Sequence, residues 1–153
     1  MASHSRKRST KAGLPPGTLV HIGKKTTITP RIMLLDFDEG GVCESELTAA
    51  NLTDKIKLAR GTKWLNVHGL VDAAVMEQIG ACFNLHPLVL EDIFNTDQRS
   101  KLEDYGDYLY VVLKTFDYEN KGPEERIDSD QVSLILEKNF VLSFLETNGI
   151  QLG

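Results

Sequence analysis

Gln131-Val132-Ser133-Leu134-Ile135-Leu136, a break at Glu137-Lys138-Asn139, and Phe140-Val141-Leu142-Ser143-Phe144-Leu145 read as two β-strands of one hairpin. Neither strand alternates cleanly. Leu134 stands beside Ile135, and Val141 beside Leu142, so both strands are partly apolar on both faces. Successive side chains of a strand point to opposite sides of its sheet, so such a strand needs cover on both. Tyr108–Tyr118 has the same character. Tyr108, Tyr110, Val112 and Phe116 fall on one face, and Leu109, Val111 and Leu113 on the other.

Working back from this hairpin, the chain supplies the remaining layers. Pro15-Pro16-Gly17 predicts a turn, and Leu19, Val20 and Ile22 a short first strand. Arg31–Asp38 and Val42–Leu47 predict a second hairpin, turning at Gly40-Gly41. Asn51 to Ala59 reads as a helix, with Leu52, Ile56 and Ala59 on one face, and Lys63–Val67 as a strand. Asp72 suits the N-cap of a second helix, whose stripe is Val75, Ile79, Cys82 and Phe83 and which ends at Asn84. A third helix starts at Pro87, with His86 as its cap and Leu90, Ile93 and Phe94 inward. The predicted fold class is α/β: a mixed, largely antiparallel sheet with helices on one face. The three helices all fall between Asn51 and Asn95, and together they cover one face only. The other face calls for further helices or for a second copy of the chain.

The bulk properties narrow the function. With 41% hydrophobic and 25% charged residues, the 153-residue chain has the composition of a folded domain. It has no apolar run of about 18 residues, the least a membrane-crossing helix needs. The basic stretch Met1–Lys11 has no apolar segment behind it and is not a secretory signal. Cys43 and Cys82 fit no zinc spacing and read as reduced thiols. Arg6, Lys7, Arg8 and Lys11 hold all the charge of that first stretch, leaving 13 basic against 22 acidic residues elsewhere. An acidic body of this kind repels nucleic acid and attracts cations.

The densest polar region runs from Glu91 to Asp107, with Asp92, Asp97, Glu103 and Asp104 between them, against Arg99 and Lys101. Neighbouring carboxylates repel, and a hard cation such as Mg2+ relieves the repulsion through oxygen ligands while keeping several waters. Glu91 and Asp92 sit on the third helix, about 100° apart around its axis. They are the candidate metal ligands. The plainer alternative is a solvated helix face, where most charged helix pairs are found. A second acidic group, Asp117, Glu119, Glu124, Glu125, Asp128 and Asp130, spans a predicted strand–loop–strand connection and reads as polar loop. No catalytic residues emerge. Ser133 and Ser143 lack a nucleophile elbow; His21, His68 and His86 lack ligand spacing; no Gly-rich phosphate loop occurs. The rivals to metal sensing are a soluble acidic interaction module and a hydrolase using Glu91 or Asp92.

At the third helix the sequence meets a known family. His86-Pro87-Leu88-Val89-Leu90-Glu91-Asp92-Ile93-Phe94-Asn95-Thr96-Asp97-Gln98-Arg99 closely resembles a helix and loop of the CorA magnesium and cobalt transporters. The likeness continues through Lys101-Leu102-Glu103-Asp104-Tyr105-Gly106-Asp107-Tyr108-Leu109 and Val111-Val112-Leu113-Lys114. It resumes at Asp130–Leu136 and Lys138–Phe144, and it includes Gly13–Val20 and Trp64–Val67. The resemblance implies an α/β/α sandwich, here without its second helical layer. Residues 1–13 lack apolar periodicity and read as a disordered basic tail, and the resemblance makes 14–153 a cytoplasmic domain cut before the stalk and transmembrane helices. It implies a homopentamer at the cytoplasmic face of the membrane. Regulatory Mg2+, with Co2+ also possible, would bind between subunits on Glu91 and Asp92, completed by acids from later segments. The fragment itself would not transport and would bind Mg2+ weakly. Zinc or nickel transport within the same superfamily is the close alternative.

Overall fold

The computed structural model describes residues 13–23, 28–121 and 124–146. Apart from Gly13, the predicted basic tail lies outside these residues. The strands are β1 (Arg31–Asp38), β2 (Gly41–Leu47), β3 (Thr62–His68), β4 (Lys101–Asp104), β5 (Leu109–Lys121), β6 (Glu124–Leu136) and β7 (Phe140–Leu145). The helices are α1 (Leu52–Leu58), α2 (Ala73–Cys82) and α3 (Pro87–Phe94). The strands form a seven-stranded sheet in the order β2-β1-β3-β7-β6-β5-β4. β3 and β7 pair in parallel, and every other neighbouring pair is antiparallel. The fold is therefore the mixed, largely antiparallel α/β sheet that the sequence predicts.

Alternation along the strands sorts the side chains into two faces. Ile32 and Leu34, Leu65 and Val67, Leu142 and Phe144, Ile135, and Tyr110 and Val112 are all buried. They join the inward residues of the helices, among them Ile56, Ile79, Val89 and Ile93, in one core cluster. Helices α2 and α3 pack so closely that a Cβ on Gly80 would press on the Leu90 side chain. The other face carries Met33, Leu35, Trp64, Leu109, Val111, Leu134 and Val141, all half-buried. Phe37, Leu102, Leu113 and Leu136 lie exposed on the same side. At its centre Trp64 Nε1 donates to Ser143 Oγ (3.0 Å), and that hydroxyl donates to Asn66 Oδ1 (2.8 Å).

Three features depart from the sequence reading. Leu19–Ile22 is not a strand. Ile22 makes a single bridge with Asn95, its amide bonding to Phe94 and its carbonyl to Thr96, so the segment runs beside the exit of α3. Leu19 packs there against the core, which answers for the apolar pattern. Second, Lys101–Asp104 forms the edge strand β4, which pairs with β5. Third, the acidic stretch expected to be a loop is mostly strand. β5 and β6 have 13 residues each and pair to their ends, setting Asp117 opposite Asp128 and Thr115 opposite Asp130.

Candidate functional site

Helix α3 is fixed at both ends before it presents any carboxylate. Pro87 opens it, where its missing N–H costs no helical bond. His86 caps it as expected, its Nδ1 accepting from the Leu88 amide at 3.1 Å. The His86 amide in turn donates to the Tyr108 hydroxyl at 2.9 Å. At the C-terminal end Gln98 Nε2 donates to the carbonyls of Asp92 and Asn95. Buried Gln131 of β6 completes the anchor, donating to the Asn95 carbonyl and accepting from the Gln98 amide. With Val89, Leu90, Ile93 and Phe94 buried beneath, Glu91 and Asp92 are held half-buried at the rim of the helix.

Each carboxylate is tied to a different part of the chain. Glu91 Oε2 accepts from the Gly17 amide at 2.6 Å, so the N-terminal turn is latched to α3 across 74 positions of sequence. Asp92 Oδ2 accepts from Lys101 Nζ of β4 at 2.7 Å. The same ammonium reaches Glu103 Oε1 at 3.2 Å and stands 5.4 Å from the centre of the Tyr110 ring. Tyr105 donates its hydroxyl to Glu103 Oε2 at 3.3 Å and stacks on Tyr108. Partial burial works against the Lys101 charge, but the hydrogen bonds it donates to Asp92 and Glu103, with the charges of those carboxylates, outweigh it and raise its pKa. Burial foremost, then the Glu103 charge, raises Tyr105. Burial pushes Tyr110 well above the ordinary phenol value. Ser133 pulls the other way, although the geometry falls short of a hydrogen bond to the Tyr110 hydroxyl.

The remaining acids of the region do not join this pair. Asp97, Asp104 and Asp107 are exposed, and Asp104 holds its own turn through the Gly106 amide at 2.8 Å. Among the described residues no three His, Cys, Asp or Glu side chains converge as a metal site. The donor chemistry of Glu91 and Asp92 suits Mg2+, since both offer hard carboxylate oxygens. Two carboxylates alone would not fill the octahedral shell that Mg2+ favours. Lys101 and Gly17 are the site's partners that the sequence does not announce. They lie 9 and 74 positions away from their carboxylates and meet them only through the fold.

The seven-stranded mixed sheet with its three helices on one face is a fold shared with soluble domains whose structures are solved. The soluble domain of CorA from Methanocaldococcus jannaschii shares the fold, at TM-score 0.50 and 12% identity over 79% of this chain and 42% of that one. The cytoplasmic domain of ZntB from Vibrio parahaemolyticus does so at TM-score 0.53 and 12% identity, over 80% and 46%. In sequence, residues 59–151 match the family profile described as CorA-like Mg2+ transporter protein. The cobalt/magnesium transport protein CorA of Thermotoga maritima is 39% identical over 145 residues, which are 94% of this chain and 40% of that protein. The chain belongs to the CorA-like Mg2+ transporter family. It spans less than half the length of that relative, a cobalt/magnesium transport protein.

Proposed function

We propose that this chain is the cytoplasmic, metal-sensing domain of a divalent-cation transporter, with Mg2+ as its regulatory ion and Co2+ as a second one. The observation that carries this is the adjacent pair Glu91 and Asp92, half-buried on a helix capped at both ends, in a chain of the CorA-like family. In this reading the protein assembles as a homopentamer on the cytoplasmic side of a membrane. The pair faces acids of a neighbouring subunit and of further segments. Bound Mg2+ neutralises carboxylates that would otherwise repel across the subunit boundary. The residues of this chain do the positioning. Val89, Leu90, Ile93 and Phe94 anchor α3, His86 and Gln98 fix its ends, and Glu91 and Asp92 bring two hard oxygen donors to the rim. An ion that binds the closed arrangement better shifts the population toward it.

The test is ion flux through the full-length protein over a range of cytosolic Mg2+. Replacing Glu91→Ala and Asp92→Ala together is expected to raise the Mg2+ needed for closure about tenfold or more, since both fixed donors are lost. Open-state flux should persist. An unchanged Mg2+ dependence in the double variant removes the regulatory role.

A further inference from the structure

Lys101 stands at the start of β4, the edge strand, opposite buried Val112 and on the helix side of the sheet. Its ammonium is cradled by three groups: Asp92 Oδ2 at 2.7 Å, Glu103 Oε1 at 3.2 Å, and the face of Tyr110 at 5.4 Å. Its side chain is only 27% exposed, and Tyr105 holds the second Glu103 oxygen in place. A positive charge is thus already built in beside Asp92, and an arriving cation must compete with it for Oδ2. We propose that Lys101 is a positioning residue for Asp92: it is the built-in counter-ion of that carboxylate, and a divalent cation captures Asp92 by drawing it away from Lys101. This rests on Asp92 being a metal ligand.

The exchange is cheap because the ammonium is not stranded by it. Once Asp92 turns to the cation, Lys101 keeps Glu103 and the Tyr110 ring, both of which favour a charged amine. Two consequences follow from the competition. Lys101 lowers the apparent affinity of the carboxylate site, which suits a sensor that must release its ion. It also couples ion capture to the edge of the sheet, since the Asp92–Lys101 contact ties α3 to the start of β4.

Binding of Mn2+, a hard oxygen-seeking probe, can be followed by the loss of its free-ion spin-resonance signal on purified full-length protein, with Mg2+ as competitor. Lys101→Met, which keeps the stem and removes the charge, should bind Mn2+ about threefold to tenfold tighter. Lys101→Arg should stay near the parent, and Asp92→Asn should weaken binding and cancel the gain when combined with Lys101→Met. Parent-like or weaker binding by Lys101→Met overturns the proposal. So does an equal gain in the Asp92→Asn background, which would mark a general charge effect. If Asp92→Asn weakens binding while Lys101→Met does not tighten it, the counter-ion role alone falls. If Asp92→Asn changes nothing, the metal role of Asp92 falls with it. Should Lys101→Met fail to fold, Lys101→Gln is read by the same outcomes.

Discussion

The two faces of the sheet are built from equally apolar strands but are used differently. On the helix side Leu65, Ile135, Leu142, Tyr110 and Val112 are wholly buried under α1, α2 and α3. On the other side Leu134, Val141 and Val111 are half-buried, while Leu102 and Leu113 lie open. The centre of that second face also carries a polar relay, from Trp64 through Ser143 to Asn66 and on to His68. The contrast teaches that apolar patterning tells how a strand can be covered, not by what. The apolar cluster under the helices spans most of the covered face, whereas burial on the other face is confined to a patch around Val132, Leu145, Ser143 and Asn66, and no helix lies over that face among the described residues.

The sharpest way to break the comparison is a matched pair of truncations. Leu65→Ala on the covered face should cost about 3–5 kcal/mol, because a wholly buried leucine leaves a cavity its neighbours only partly fill. Leu134→Ala on the open face should cost about 1 kcal/mol or less. Denaturant unfolding reads both, and equal costs would mean that the second face is a packed core too.

Ser143→Ala probes the relay and should have an intermediate effect, about 1–3 kcal/mol. It removes the acceptor of the Trp64 indole and leaves the oxygen of buried Asn66 without its donor. The same unfolding measurement checks it, and a change below about 0.5 kcal/mol would show the relay to be dispensable.

Least costly of all, Leu102→Ser with Leu113→Ser should move stability by no more than about 0.5 kcal/mol, since both side chains already meet water. Their effect should appear in association instead. The parent chain is expected to bind an environment-sensitive hydrophobic dye or to self-associate, and the double variant to do less of both. A monomeric parent that ignores the dye would contradict the open face.

Much of this layout was legible in the sequence. The bounds of β1 and β7, the positions of β3 and all three helices, and the start of α3 came from apolar period, Gly40-Gly41, Asp72 and Pro87, because each of these elements carries a strong pattern beside a local signal. β4 escaped because Lys101–Asp104 has one apolar residue, and an edge strand needs little burial. The outer halves of β5 and β6 escaped because acidic residues dominate Glu119–Asp130, yet the two strands continue their ladder through backbone bonds that composition does not reveal. Leu19–Ile22 misled for the opposite reason, being apolar enough for a strand but satisfied by packing beside α3. At the site, Glu91 and Asp92 stood out as adjacent acids. Their partners did not, since Gly17 and Lys101 reach them across the fold and no spacing rule encodes such contacts.

The parallel pairing of β3 with β7 has a kinetic meaning. It joins Thr62–His68 to Phe140–Leu145, more than seventy positions later in the chain, while the sheet's other pairings link strands nearer in sequence. The three-stranded unit β2-β1-β3 and the four-stranded unit β7-β6-β5-β4 can each assemble from nearby segments, but the seam between them closes a long loop whose entropy is lost before its contacts form. Docking of the two half-sheets is therefore expected to be the slowest step in making this domain, which stopped-flow refolding of Leu65→Ala and Leu142→Ala would test against truncations inside either half. Leu65 and Leu142, wholly buried and paired across the seam, would then bear most directly on how fast a newly made chain passes from two local units to one.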